Sequence, residues 1–200
     1  MDVLAAGKAK GKTFRTAVHV HEEGAPLTYT EYRGYDIKST TSDAAALRVQ
    51  YGVVFITGGR SPEQARNLPN IMSIVQQALS REIVVAAICR GPELLIAAGV
   101  TNTAMSGSTL IQDVIEKSGN TFEKGRVVVA ERSNRATIIT APPTHIGVMI
   151  KYVVDTDATS RVVPASEINW SYRPALITVL MLAVLFVIKK GTCENRRISP

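Results

Sequence analysis

Two short apolar runs, each cut off by glycine, limit what this chain can fold into more than any other feature. Tyr51-Gly-Val-Val-Phe-Ile-Thr57 stops at Gly58-Gly59, and Ile83-Val-Val-Ala-Ala-Ile88 leads straight into Cys89-Arg-Gly-Pro-Glu93. Neither run alternates apolar with polar residues, so each reads as a strand buried on both faces, as in a parallel sheet covered by helices. Ile71, Ile74, Val75 and Ala78 recur between them at helical spacing. Leu94–Ala98 then reads as a helix that Gly99 ends with a left-handed cap. Leu110, Ile111, Val114 and Ile115 fit a further amphipathic helix, Val127–Ala130 and Ala136–Thr140 late strands, and Ile146–Val154 a closing helix. Strands alternating with helices predict an α/β fold, with a mostly parallel sheet and helices on both faces. The first fifty residues are less regular. Val3–Ala5, Thr16–His21 and Tyr35–Lys38 are strand candidates, Gly7–Lys12 reads as a loop, and Ser42 caps a short helix reaching Val49.

The chain has 200 residues, 46% apolar and 20% charged, which excludes wholesale disorder and supports one real core. The expected organisation is a domain over 1–154, a linker over 155–173, an apolar helix over 174–188 and a basic tail over 189–200. Two cysteines, Cys89 and Cys193, make neither a disulfide framework nor a zinc pattern. No metal or cofactor is therefore expected. The net charge of +6 is modest, and the only dense basic cluster, Lys8, Lys10, Lys12 and Arg15, has Phe14 as its sole aromatic neighbour. A solvated loop explains it better than a phosphate-binding patch, and no nucleic-acid partner is expected. Met1–Gly7 has neither the basic start nor the apolar run of a secretory signal. A sequon at Asn169-Trp170-Ser171 carries little weight without one.

The run Pro174–Ile188 is uncharged and is closed by Lys189 and Lys190. As a helix it measures about 22 Å against about 30 Å of hydrocarbon, slightly short of a comfortable span. Trp170, Tyr172, Arg173 and the two lysines can anchor it at the interfaces. Three readings stand open: a membrane anchor for a cytoplasmic domain, a buried C-terminal helix, or a tail that only looks membrane-like. Cys193, in the polar tail, reads as a surface thiol.

The chemistry concentrates at Cys89, where a buried strand ends and a helix begins. Ligands of open α/β sheets bind at the carboxyl ends of strands. A strand-to-helix elbow lifts the thiol above the sheet, and the positive end of the helix dipole favours thiolate and lowers its pKa. Gly91 permits the close approach of an elbow, and Pro92 suits the first helical turn. A lone cysteine at a strand end is otherwise ordinary core filler, but the Cys-Arg-Gly-Pro context after six apolar residues favours a nucleophile.

Gly58-Gly59-Arg60, followed some thirty residues later by Ala87-Ile88-Cys89-Arg90-Gly91-Pro92-Glu93-Leu94-Leu95, resembles the ThiJ/PfpI superfamily. The resemblance covers roughly residues 1–154, and Thr16-Ala-Val-His19 and the Gly-Tyr-Asp-Ile segment at 34–37 look like its PfpI and glyoxalase-like branch. It implies a flavodoxin-like fold related to class I glutamine amidotransferases, a homo-oligomer, and chemistry on small aldehydes or dicarbonyls such as methylglyoxal. Cys89 would be the nucleophile. Backbone N–H groups around Gly58, Gly59 and Arg90 would form the anion pocket, with Arg60 and Gly91 beside it.

Two departures accompany the match. The catalytic members carry histidine after the nucleophile, whereas Arg90 has no acceptor lone pair and cannot act as a base. It could hold a thiolate by charge or clamp a carboxylate. The family's first strand, first helix and the glutamate between them should also precede Met1, so the chain reads as N-terminally truncated, with backbone left unpaired along neighbouring strands. Of three histidines, only His145, after Ala-Pro-Pro-Thr, stands where it could face the pocket; a solvated loop histidine is the alternative. The resemblance thus implies a glyoxalase III- or deglycase-like protein with weak or lost activity. A redox-sensing or binding module, tethered to a membrane, is the alternative. A glutamine amidotransferase-like hydrolase fits less well, because the expected His-x-Glu pair is here His145-Ile-Gly147.

Overall fold

The computed structural model describes residues 1–21, 29–132, 135–156, 178–180 and 184–189. In chain order the first elements are β1 (Asp2–Ala5), β2 (Thr13–His21), β3 (Tyr29–Lys38), α1 (Asp43–Ala46) and β4 (Tyr51–Ile56). There follow α2 (Ser61–Ala65), α3 (Pro69–Leu79), β5 (Val84–Ile88), α4 (Pro92–Ala97) and β6 (Ala104–Met105). A 3-10 turn at Thr109–Ile111 leads into α5 (Gln112–Lys117), then β7 (Thr121–Phe122), β8 (Val128–Ala130) and β9 (Thr137–Ala141). A second 3-10 turn, Pro143–His145, opens α6 (Ile146–Asp155), and β10 (Thr178–Leu180) and β11 (Val184–Lys189) complete the described chain.

The main sheet has six strands in the order β1-β11-β4-β5-β9-β8. Its middle is the parallel trio β4, β5 and β9, with Ile56 opposite Ala87 and Ala87 opposite Thr140. Strand β5 is buried along its whole length, as its unbroken apolar run requires. Val85 and Ala87 face one core with α3, α4 and α5, while Val84, Ala86 and Ile88 face a second core with Met149 and Val153 of α6. Helices therefore cover both faces. Helix α3 buries Ile71, Ile74, Val75 and Ala78, the residues whose spacing marks it as amphipathic. Across the 3-10 turn and α5 only half of the expected stripe is used: Ile111 and Ile115 are buried, whereas Leu110 and Val114 are exposed.

The ladder corrects the expectation of a mostly parallel sheet. Three of its pairings, β1 with β11, β11 with β4, and β8 with β9, are antiparallel, so the sheet is mixed. The larger correction concerns 174–188, expected as an apolar helix. Its described residues are strands: β10 pairs with β2, and β11 lies between β1 and β4, antiparallel to both. Among the described residues no helix is long and apolar enough to cross a membrane. Val184-Leu-Phe-Val-Ile188 is rich in β-branched and aromatic residues, and periodicity cannot separate helix from strand in so short an apolar run. The backbone of β1 and β4 decides it, because their facing N–H and C=O groups need partners and β11 supplies them. All but the first two residues of the expected linker, and all of the expected basic tail except Lys189, lie outside the described residues, as do Cys193 and the sequon.

The N-terminal segment is simpler. Strands β2 and β3 form a long hairpin joined by β10, the Lys8–Lys12 stretch is an exposed loop, and the Ser42 side chain caps α1 by accepting from Ala45 N–H.

Proline at Val187 removes a ladder donor inside an interior strand. A Val187→Pro variant is expected to lose at least about 1 kcal/mol, a fall in Tm of roughly 2–4 °C for a chain of this size. An unchanged melting curve would place this run outside the sheet.

Candidate active site

Strand β5 ends in a backbone corner. Cys89 has φ of 59°, the left-handed region that costs a non-glycine residue about 1–2 kcal/mol. Its surroundings hold it there. Cys89 N–H donates to the Ala141 carbonyl at 2.9 Å, and its own carbonyl accepts from Ser108 N–H at 2.8 Å. Neighbouring chain comes so close that side chains are excluded. A Cβ on Gly58 would lie 2.6 Å from Cys89 Cβ, and one on Gly107 would lie 2.6 Å from the Cys89 carbonyl oxygen. Gly91 is similarly confined, 2.9 Å from the Ile56 and Ile88 carbonyls by the same measure. Pro92 then opens α4, where its missing N–H costs nothing.

The backbone N–H groups of Gly59 and Arg90 face Sγ and favour its charged form. The glycine pair after β4 and the elbow after β5 thus converge on one sulfur, because the two strands are parallel neighbours and end together. The expected exposed, acidic thiol is not found. Cys89 is only 6% exposed and belongs to the aliphatic cluster of Val84, Ile88, Ala141 and Met149. Burial pushes the thiol above its ordinary range. The Gly59 and Arg90 N–H groups and the Arg90 charge oppose that rise without reversing it, and the Glu93 charge adds to it. The helix behind the corner has only six residues.

The Arg90 guanidinium is partly buried and is engaged by two carboxylates of the chain itself. Its Nη2 donates to Glu63 Oε1 at 2.5 Å and to Glu93 Oε1 at 2.9 Å. Glu63 comes from α2, directly after the glycine pair, and the Arg90 hydrogen bond holds its carboxyl below the usual range. Arg60 is 71% exposed and reaches Glu63 at 3.6 Å. His145 stands at the carboxyl end of β9, next to the end of β5, with Nδ1 2.8 Å from Thr144 Oγ1. Burial lowers its pKa, and among the described residues no hydrogen bond joins it to Cys89. The side chains of His19 and His21 lie outside the described residues.

Sequence reasoning missed Glu63, Glu93, Ser106 and Gly107. Glu93 stood inside the elbow motif, but a carboxylate at a helix start passes for an ordinary cap. Nothing in Met105-Ser-Gly-Ser108 shows that this turn lies on the cysteine, since it is brought there by tertiary bonds, from Ser106 N–H to Thr140 Oγ1 and from Ser108 N–H to the Cys89 carbonyl, each 2.8 Å. No group of three or more His, Cys, Asp or Glu side chains among the described residues could hold a metal ion.

Comparison with known proteins agrees with this architecture. The DJ-1/PfpI family pattern matches residues 2–153, and the chain belongs to that family. Protein DJ-1 homolog D of Arabidopsis thaliana is 33% identical over 100 residues, 50% of this chain and 25% of that protein. A deglycase of Pyrococcus horikoshii is 34% identical over 73 residues, 36% of this chain and 44% of the deglycase. The chain therefore spans less than half the length of these relatives. Among solved structures, a two-domain protein of Anabaena variabilis with DJ-1/ThiJ/PfpI-like and ferritin-like domains aligns at a TM-score of 0.55 and 20% identity, covering 66% of this chain and 37% of its own. Schizosaccharomyces pombe DJ-1 aligns at 0.50 and 16%, covering 64% and 68%. At those identities the structural likeness speaks for the fold.

A buried thiol with a raised pKa reacts late in a pH titration. Alkylation of Cys89 by iodoacetamide, followed by mass spectrometry of the Cys89 peptide, is expected to reach half-maximum at a higher pH in the folded chain than in urea. A lower midpoint in the folded chain would contradict the burial described here.

Proposed function

We propose that this DJ-1/PfpI protein adds the Cys89 sulfur to small, uncharged aldehydes or dicarbonyls such as methylglyoxal, and does so slowly. One observation carries the reading: a strained, left-handed cysteine whose sulfur meets two backbone N–H donors, from Gly59 and Arg90. Donors aimed at a reacting centre stabilise negative charge developing on sulfur or on a neighbouring carbonyl oxygen. A backbone held in the left-handed region by its surroundings is typical of a functional corner. The deglycases among the relatives, from Pyrococcus horikoshii and Thermococcus kodakarensis, support a carbonyl substrate.

Slowness follows from the thiol's protonation and from Arg90. Little thiolate is present near neutral pH, and the residue after the nucleophile is a guanidinium engaged by two carboxylates instead of a base. The redox-sensor alternative draws no support from a buried, protonated sulfur, since oxidation follows thiolate character and exposure.

Methylglyoxal consumption by the full chain is expected to be weak at pH 7, to rise as pH increases towards the thiol pKa, and to vanish in Cys89→Ala. Consumption that survives this substitution unchanged would refute the reading.

A further inference from the structure

The outer strand of the β2–β3 hairpin leaves its own chain's core on both faces. Among the described residues β3 pairs only with β2. No residue from Thr30 to Lys38 is buried, and Tyr32 and Tyr35 are 57% and 67% exposed. The register holds a bulge. Asp36 stands across from Arg15 and Arg33 across from Ala17, so Gly34 and Tyr35 together face the single residue Thr16. Tyr35 N–H donates to Thr16 Oγ1 at 2.7 Å, and a Cβ on Gly34 would collide with that oxygen. The extra residue shifts the alternation of side chains by one. Glu31, Arg33, Asp36 and Lys38 therefore share one face, across from His19, Ala17, Arg15 and Thr13. There Asp36 meets Arg15 at 2.9 Å and Arg33 at 3.7 Å. Tyr32 and Ile37 share the other face, across from Val18 and Phe14.

Along the charged face the order is acid, base, acid, base, which is its own complement when the strand is laid antiparallel against itself. A two-fold axis between Gly34 and Tyr35, perpendicular to the sheet, sets Glu31 of one copy opposite Lys38 of the other and Arg33 opposite Asp36, each pair occurring twice. On the reverse face the same axis sets Tyr32 opposite Ile37. Without the bulge, Glu31 and Lys38 would stand on opposite faces of the strand and could not meet. We propose that β3 pairs edge to edge with β3 of a second copy of this chain, joining the two hairpins in one sheet. A bulge and a row of charges deter foreign strands from an exposed edge. They do not deter a second β3, which brings the same bulge to the axis and the complementary order of charge, so the edge selects its own copy.

Sedimentation equilibrium of the full chain should show monomer and dimer in exchange. Glu31→Lys and Lys38→Glu each make both copies of that charge pair repulsive, so either variant alone should dimerise about tenfold or more weakly. In an equimolar mixture every lysine of one variant faces a glutamate of the other, and dimerisation should return. Recovery on mixing also shows that both variants are folded. A chain that is monomeric at every concentration overturns the proposal and leaves the edge to a strand of another protein. A dimer indifferent to both substitutions overturns it in favour of another surface, and folded variants that stay apart on mixing overturn the register. Hydrogen exchange on the unaltered chain decides the matter where a variant does not fold. The amides of residues 29–38 should exchange more slowly as concentration rises, and rates there that ignore concentration overturn the pairing.

Discussion

A single left-handed residue at the end of β5 sets the terms for the site. Cys89 could relax by about 1–2 kcal/mol if its backbone swung to the ordinary side, but each of its polar backbone groups is already bonded, to Ala141 and to Ser108. Gly58 and Gly107 fill the space on either side at distances that leave no room for a Cβ. The strain is retained because releasing it would break two buried hydrogen bonds and two close contacts together. This arrangement also turns Sγ toward the N–H groups of Gly59 and Arg90, so the corner's conformation and the sulfur's electrostatics have one cause.

That cause works against acidity as well. The contacts that hold the corner also enclose it among Val84, Ile88, Ala141 and Met149, and desolvation of a thiolate outweighs two N–H donors and a shared guanidinium. Arg90 could have tipped the balance if its charge were free. Two carboxylates share it, so the local environment favours a neutral thiol with a carboxylate nearby over a preformed thiolate.

The central strands, the elbow and its glycines were legible because they rest on local chemistry: unbroken apolar runs, glycine where backbone must approach, proline at a helix start. Leu94–Ala98 with Gly99 was legible for the same reason, and Gly99 does adopt φ of 93°. Features set by tertiary partners were not. Whether Cys89 is exposed depends on α6 and on the turn after β6, both distant in sequence. The fate of Val184–Lys189 depends on two strands more than a hundred residues earlier, since the run itself is equally consistent with a helix. Leu110 and Val114 fit an amphipathic stripe, yet the core takes only Ile111 and Ile115, because spacing shows which residues share a face and not how much of it is covered.

The antiparallel strand β11 bears on the chemistry through β4. Gly58 reaches Cys89 only if Ile56 stays opposite Ala87, and a one-residue slip would turn Gly58 away and reverse every side chain of β4. On one side β4 is held by β5, itself buried on both faces. On the other it is held by β11, with Leu185 opposite Ile56 and Val187 opposite Val54. A strand with one partner has a free row of donors and acceptors and a looser register. Pairing on both sides fixes β4 along its length, and with it the position of the Gly58-Gly59 turn over the sulfur. The run Val184–Lys189 therefore contributes to the site by fixing the register of the strand that leads into the Gly58-Gly59 turn.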